Sequence, residues 1–208
     1  MKLKKKIKRN IIIVIFIVAI LVTGYGIYHF FGNVNTIKEV KIVNEIDGYG
    51  YKLKDNKSKK YKDMFSKLKK ILIADEVDEK QYVKQISQMF IYDFYTLNDK
   101  TTKTDVGGVD FIYSTIVNNF LTNAESTYYR YVESDLYNQR KQKLPTVDTI
   151  SIDNIETTTY EYEKETDDEA YQVDVTWTYT SEDYNSYQQK ATLIFVHEDK
   201  KLSLVELN

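Results

Sequence analysis

The chain has 208 residues, with 29 Lys and Arg against 31 Asp and Glu, and it contains no Cys. This length suits one domain with a short additional segment. The lack of Cys excludes a disulfide scaffold, a thiolate zinc site and a cysteine nucleophile, and the presence of only two His excludes a centre built from several of them.

The N-terminus combines a basic tip with an uncharged run. Residues 1–10 carry six Lys and Arg and no acid, whereas the other 198 residues hold 23 basic and 31 acidic side chains. Residues 11–31 lack charge, and 21 residues at about 1.5 Å each span about 31 Å, the thickness of a bilayer core. Tyr25, Tyr28, Phe30 and Phe31 are aromatic residues of the kind found at a membrane boundary. We predict a transmembrane anchor at residues 11–31, with the basic tip in the cytoplasm.

A cleaved signal peptide is the alternative interpretation of this segment. The run at 11–22 fits the apolar part of such a peptide, and Gly24 and Gly26 offer small-residue cleavage sites. Apolar residues continue to Phe31, which favours a retained single-pass anchor in the cell membrane. Both interpretations put residues 33–208 outside the cytoplasm. The abundance of Lys, Ile, Asn and Tyr is typical of AT-rich Gram-positive genomes.

Residues 32–56 are predicted to form a stalk or a first strand. Their apolar positions alternate imperfectly, and Gly48 and Gly50 end the pattern. The apolar positions are Ile37, Val40, Ile42, Val43 and Ile46. The extracytoplasmic domain is predicted to follow at 57–208.

Two amphipathic helices are predicted next. The first begins at Asn56 or Ser58 as cap and has apolar residues at helical spacing up to Leu72, with Lys on its other faces. The second begins at Asp78, with Gln81 three residues later as a capping-box partner. Its apolar stripe consists of Tyr82, Ile86, Met89, Phe90, Phe94 and Leu97, together with Asp93.

A third helical region is predicted after the segment Asp105-Val106-Gly107-Gly108-Val109. Apolar residues from Phe111 to Tyr131 recur at spacings near 3.6, and a break near Thr122 and Asn123 is left open.

After Pro145 the period changes to two, which is typical of strands with one buried face. The alternating residues are Ile150, Ile152, Tyr160, Tyr162, Tyr171, Val173, Val175, Trp177, Tyr179, Ala191, Leu193, Phe195, Leu202 and Leu204. They predict an antiparallel meander of four or five strands, with connectors at 166–169, 181–186 and 198–201. Because no Gly follows residue 108, we expect loops of four or five residues rather than tight primed turns. The predicted fold class is α+β: an N-terminal transmembrane helix, then about three helices packed on this curved sheet.

This order of elements resembles the NTF2-like cone fold, and in particular the VirB8-like arrangement of an anchor followed by such an ectodomain. The resemblance covers residues 37–208. The segment 105–109 is similar to one in uncharacterised Gram-positive membrane proteins. The resemblance implies a part in a conjugation or secretion apparatus, although the fold carries both enzymes and binding modules.

Four residues are candidates for a ligand pocket: Asp93, Phe90, Trp177 and Tyr179. A carboxylate within an apolar stripe would be partly desolvated, and its pKa would be raised. The alternative is that Asp93 lies at the edge of the stripe and reaches water, a Tyr hydroxyl or a Lys. Trp177 suits either a pocket wall or ordinary core packing.

Other patterns carry weaker signals. Ser66 and Lys69 match a serine–lysine nucleophile pattern whose partner motifs are absent, so chance is favoured. His197 next to Glu198 and Asp199 is a weak metal signal, and a strand-end surface position is favoured. The acidic run at 161–169 is interpreted as a charged hairpin edge rather than a calcium loop. The lysine-rich first helix is read as a solvated face, with contact to anionic lipid or wall polymer kept open.

We therefore expect a membrane-anchored extracytoplasmic scaffold or assembly module without catalysis, metal or cofactor. It would contact lipid through residues 11–31 and bind an envelope protein or a second copy of itself, with no nucleic acid. The alternative is a small-ligand-binding or sensory ectodomain with a pocket between helices and sheet. An enzyme with Asp93 as general base is a third hypothesis.

Overall fold

The computed structural model describes residues 18–26, 40–162 and 165–208, and the chain divides into two compact units, Met1–Lys38 and Glu39–Asn208. In the first unit, residues 18–26 form helix α1. Within the described ranges, no helix combines the length and the apolar character needed to cross a bilayer. The predicted basic tip at 1–10, the anchor residues 11–17 and 27–31 and the predicted stalk up to residue 39 lie outside the described residues.

The second unit is α+β, as predicted, with a four-stranded antiparallel sheet packed against one helix. The strands are β1 (Ile42–Ile46), β2 (Tyr51–Lys54), β3 (Val147–Tyr162), β4 (Glu165–Tyr179), β5 (Lys190–Glu198) and β6 (Lys201–Leu207). The helices are α2 (Lys59–Leu72), α3 (Glu79–Tyr95) and α4 (Val117–Ser126). Short 3-10 turns lie at Val109–Phe111, Ser114–Ile116 and Glu182–Tyr184.

The first two helices of this unit begin where the sequence predicts. Ser58 Oγ accepts a hydrogen bond from the Tyr61 N–H at 3.2 Å, and Asp78 Oδ1 accepts one from the Gln81 N–H at 3.0 Å. Each side chain thereby satisfies one of the free N–H groups of a helix start. Helix α3 departs from the prediction in one respect, because it is buried on almost every face and not along one stripe only.

The third helical region is shorter than predicted. Only α4 is an α-helix, and it runs through Thr122 and Asn123 without a break. Before it, the Tyr113 N–H donates to Leu204 O at 3.0 Å, so the chain pairs with the edge of β6 and cannot remain helical there. After it the chain turns, and Tyr131 is 74% exposed instead of lying on an apolar stripe.

The four long strands pair in the order β3-β4-β5-β6, which confirms the antiparallel meander. One predicted connector is wrong, and a second lies where predicted but is shorter than expected. Residues 166–169 lie inside β4, because the β3–β4 arm is a continuous pair of strands of 16 and 15 residues. The β5–β6 connection has only two residues between Glu198 and Lys201, and Asp199 adopts φ 56. Asp tolerates this left-handed conformation, so the tight turn needs no glycine.

The far end of the β3–β4 arm bends back towards β6. Tyr160 Oη donates to Glu206 Oε2 at 2.7 Å, and the ring centroids of Tyr162 and Tyr113 are 5.2 Å apart. Val196 of β5 is fully buried but is not part of the main core cluster, to which its neighbour Phe195 belongs. The sheet is therefore strongly curved and buries residues on both of its faces.

The β1–β2 hairpin belongs to the core of this unit. Ile46, Tyr51 and Leu53 are buried, and Tyr51 Oη forms a 2.7 Å hydrogen bond with Tyr82 Oη of α3. The strand predicted within 32–56 is confirmed for Ile42–Ile46. The boundary at residue 57 stays a prediction, but a domain that began there would lack these three core side chains.

Candidate functional site

Asp93 lies at the centre of a buried charged cluster. Its residue is 6% exposed, and its Oδ1 accepts from Lys100 Nζ at 3.2 Å and from Lys57 Nζ. Its Oδ2 accepts from the Gly108 N–H at 2.9 Å. Lys100 also donates to Asp99 Oδ1 at 2.6 Å, and Lys100 is itself 3% exposed. Two carboxylates thus meet two ammonium groups, so the charges of the cluster compensate one another.

These contacts overturn the expected electrostatics of Asp93. Burial alone would raise the pKa of its carboxyl group, as predicted from its place in the apolar stripe. The ammonium groups of Lys100 and Lys57, together with the Gly108 N–H, outweigh burial and hold the pKa of Asp93 well below its usual range. The prediction of a raised pKa is therefore wrong, and of the two interpretations the contact with Lys applies. An ionised carboxylate with these partners suits a structural role better than that of a general base.

The glycine pair of the segment 105–109 closes over this carboxylate. A Cβ at Gly107 would lie 2.0 Å from the backbone O of Asp93, and one at Gly108 would lie 2.7 Å from the Phe90 ring. Gly108 also adopts φ +75, a conformation that favours glycine. The loop therefore rests directly on α3, and only residues without a side chain allow that approach.

An aromatic pocket forms a second site, between α3 and the sheet. It has a volume of about 220 Å³. Helix α3 supplies Phe94 and Tyr95, Leu97 lies two residues after its end, and Tyr128 lies two residues after the end of α4. Tyr179 comes from β4, Tyr187 and Gln188 from the loop before β5, and Pro145 precedes β3. We refer to these eight residues as the aromatic pocket.

The four candidate pocket residues fall into two groups. Tyr179 lines the aromatic pocket, and the Trp177 ring packs against Tyr95 at a tilt of 35°, with ring centroids 4.4 Å apart. Asp93 and Phe90 instead belong to the charged cluster and its glycine loop, and neither lines the aromatic pocket. Their connection is indirect, through Phe94, whose ring stacks on Phe90 at 5.4 Å.

Sequence reasoning missed most of the aromatic pocket. Tyr95, Tyr128, Tyr187 and Gln188 come from three segments that are distant in sequence, so no local spacing indicates that they meet. The one feature of the sequence that could have indicated the aromatic pocket is the pair Tyr184 and Tyr187 in the β4–β5 loop. Its rings pack at 5.4 Å and both contact Tyr179.

Gln188 fixes one edge of the aromatic pocket. Its side-chain Oε1 accepts from Tyr128 Oη, and its backbone O accepts from Tyr179 Oη at 2.9 Å. The β4–β5 loop is thereby tied to both the helical and the sheet side. Tyr187 next to it is 51% exposed and lies at the opening.

His197 lies between two carboxylates, but not the two neighbours in sequence. Its Nδ1 is 2.8 Å from Asp167 Oδ2, and its Nε2 is 3.5 Å from Glu79 Oε1. Partial burial lowers the pKa of His197, but the two carboxylates outweigh it, so the pKa lies above its ordinary value. Glu198 instead accepts from Ser203 Oγ at 2.6 Å. In the part of the chain that the structure describes, no group of three or more acidic, His or Cys residues could hold a metal ion.

Ser66 and Lys69 form hydrogen bonds with different partners. Ser66 Oγ donates to Lys62 O at 2.9 Å, and Lys69 Nζ donates to Asn44 Oδ1 at 2.9 Å. A serine nucleophile needs its hydroxyl within hydrogen-bond reach of a base. The arrangement favours a chance match to the motif.

Compared with known proteins, the chain matches no family model, no curated protein and no solved structure.

Proposed function

We propose that the protein is a membrane-anchored extracytoplasmic scaffold or assembly module. The observation that carries the proposal is the order of a basic tip, an uncharged run of 21 residues at 11–31 and a compact unit at Glu39–Asn208 with its own core. Lys and Arg next to a membrane span remain in the cytoplasm, so the compact unit lies outside. Its partner is an envelope protein or a second copy of this chain.

The curved sheet supports the finer proposal of an NTF2-like, VirB8-like cone. Helix α3 packs on β3 and β4, and the bend of the β3–β4 arm brings Tyr160 to β6. The resemblance implies helices packed on a curved antiparallel sheet, and these contacts support it. The proposal extends to a role in a conjugation, secretion or cell-envelope apparatus.

The absence of Cys gives a direct test of the topology. Ser66→Cys introduces one thiol on the exposed side of α2, and Lys2→Cys introduces one in the basic tip. With a membrane-impermeant maleimide on intact cells, we expect labelling of Ser66→Cys only. Lys2→Cys becomes labelled after permeabilisation and serves as the matched control. Labelling of Lys2→Cys in intact cells, or protection of Ser66→Cys, would overturn the proposal.

Crosslinking in native membranes tests assembly. We expect amine-reactive crosslinking to move the 24.5 kDa chain into discrete larger species. The set of species distinguishes self-association, which gives multiples of the chain mass, from an envelope partner. Recovery of the chain as a lone monomer at every crosslinker concentration would contradict the assembly role.

A second candidate function, ligand binding or sensing, is favoured by the aromatic pocket. Its walls are mainly aromatic rings, and Gln188 at its edge accepts hydrogen bonds from Tyr128 Oη and Tyr179 Oη. Binding sites for small molecules combine such apolar walls with a few polar groups. The test is whether small aromatic molecules bind the full-length chain, as measured by the emission of Trp177, its single Trp.

A further inference from the structure

The outer arm of the sheet, residues 158–162 of β3 and 165–170 of β4, is separated from β5. The pairing of β4 with β5 ends at Tyr171 and Phe195, whereas its pairing with β3 continues to Glu165. Beyond that fork, side chains tether the outer arm to the rest of the unit. Asp167 reaches His197 of β5, and the hydrogen bond from Tyr160 to Glu206 forms a second tether.

Asp167 replaces a strand partner at the fork. Its Oδ2 accepts from the backbone N–H of His197 at 2.7 Å and lies 2.8 Å from His197 Nδ1. Partial burial would raise the pKa of Asp167, but hydrogen bonds from His197 and from the Glu169 N–H outweigh it and lower the pKa. Asp167 therefore presents an ionised carboxylate to the His197 ring at neutral pH.

The other side of the His197 ring faces a second carboxylate. Its Nε2 is 3.5 Å from Glu79 Oε1, in the first residue of α3. Tyr171 Oη donates to the other oxygen of Glu79 at 2.9 Å and so fixes its position. Asp78, the residue before Glu79, caps α3 through the Gln81 N–H instead. The His197 ring thus joins the outer arm, β5 and the start of α3.

The remaining charged groups around His197 have other contacts. Glu198, the next residue on β5, accepts from Ser203 Oγ at 2.6 Å. Lys201 of β6 lies over an aromatic ring of β2. Glu169 of the outer arm is exposed and lies close enough to affect the ionisation of Tyr171. The two carboxylates that bracket the ring therefore dominate its charge state.

The number of protons on the ring decides how many carboxylates it can serve. A protonated imidazole donates from both nitrogens, so Asp167 and Glu79 are both satisfied. A neutral imidazole has one N–H, so one of the two carboxylates faces a lone pair. The shorter contact, with Asp167, keeps the single proton, and the contact with Glu79 is lost.

We propose that His197 is a proton-controlled clasp, which holds the outer arm and the start of α3 against β5 when it is protonated and loosens them when it is neutral. Loss of the proton breaks the contact with Glu79 and leaves Asp167 without an ion-pair partner, so the outer arm opens more often while the rest of the unit stays folded. The inference goes beyond the scaffold function, because it adds a moving part whose position depends on pH.

The direction of the effect follows from linkage. Although partial burial lowers the pKa of His197, the two carboxylates raise it above its ordinary value in the closed arrangement. The closed arm therefore binds the proton more tightly than the open arm does. Low pH favours closure, and a rise of pH through the folded pKa favours opening.

Amide hydrogen exchange of the full-length chain in detergent, at pH 6 and pH 8, tests the clasp. Each rate is divided by that of an unstructured chain at the same pH, which removes the intrinsic pH dependence of exchange. We expect amides of the outer arm to be less protected than those at 191–195 of β5, because the arm opens locally. Their protection should fall by about fivefold from pH 6 to pH 8, the value of one ion pair.

Three variants separate the clasp from other effects. His197→Gln does not titrate, so the protection of its outer arm should be equal at the two pH values. Asp167→Asn can still accept from the His197 N–H but lacks the charge, so its pH effect should be smaller than that of the wild type. Tyr160→Phe is the matched control, because it removes the other tether and should lower protection equally at both pH values.

Two outcomes would overturn the proposal. Equal protection of the wild-type outer arm at pH 6 and pH 8, or a wild-type pH effect in His197→Gln, would show that the His197 proton does not control the arm. Equal protection of the outer arm and β5, with parallel changes, would show that His197 acts only on global unfolding and that the arm does not open separately.

Discussion

The variant Asp93→Asn tests the charged cluster under α3 most directly. Asparagine is isosteric and can still accept from the Gly108 N–H, but its NH2 then faces Lys57 and Lys100, so the change removes the negative charge and the acceptor of these two groups. It leaves Lys100, which is 3% exposed, with Asp99 as its only carboxylate among the described residues. Removal of one partner from a buried pair costs about 3–5 kcal/mol because the other charge stays buried. A unit of this size would then melt about 10 °C lower.

The assay is thermal unfolding of the full-length chain, followed by Trp177 emission, which reports only on the unit that contains it. The control Lys59→Met breaks the exposed pair with Asp63, and for such a pair we expect a loss of less than about 1 kcal/mol.

The stability lost in Asp93→Asn should also depend on pH in a defined direction. Because the pKa of Asp93 is lowered on folding, its stabilisation is complete above the unfolded value of about 3.9 and is lost below it. The difference between wild type and variant should therefore stay constant from pH 7 to about pH 5 and shrink below about pH 4. A loss no larger than that of Lys59→Met would refute the structural role.

Three further predictions concern the rest of the fold. Gly107→Ala should lower the free energy of unfolding by more than about 3 kcal/mol, because its Cβ would lie 2.0 Å from a backbone O. Gly50→Ala, at a position with φ +70 and open space, should lower it by about 1–2 kcal/mol. Urea unfolding of both variants checks this order. His197 has a raised pKa, so its stabilisation of the fold is complete below about pH 6.5 and is lost as pH rises through the folded pKa. The melting temperature of the wild type should therefore fall relative to that of His197→Gln between pH 6 and 8. Parallel plots of melting temperature against pH for the two proteins would contradict this. Tyr82→Phe removes the acceptor of the buried Leu202 N–H, so we expect the free energy of unfolding in urea to fall by about 1–3 kcal/mol. A stability equal to that of the wild type would show that water replaces the Tyr82 hydroxyl.

Local features of the sequence predicted the helix starts and the meander. Ser58 and Asp78 act as caps because a side-chain oxygen three residues before an N–H is a local arrangement. The strands around Trp177 were evident because one face is buried and the other wet. The outer part of the β3–β4 arm has no such contrast, since most of its residues in β3 are exposed, and its length was therefore missed.

The contacts of the site residues were harder to predict from the sequence than the helices and strands. The position of Asp93 in an apolar stripe identified it as unusual, but its partners Lys57 and Lys100 come from loops without a periodic pattern. The sign of its pKa shift depends on those partners and cannot be read from helix α3 alone. The same holds for His197, whose carboxylates come from elements about 30 and 118 positions away rather than from the next two residues.

The position of β6 has a consequence for the order in which the chain folds. Leu202 and Leu204 are core residues, and the Leu202 N–H reaches Tyr82 in the central helix across 120 positions. Contacts of such large sequence separation form late, because a long loop must close before they can stabilise anything. The part of the core to which Leu202 and Leu204 belong therefore stays incomplete until residues 201–207 are available. Incomplete cores expose apolar surface, so aggregation is the expected risk for any fragment that ends before residue 201.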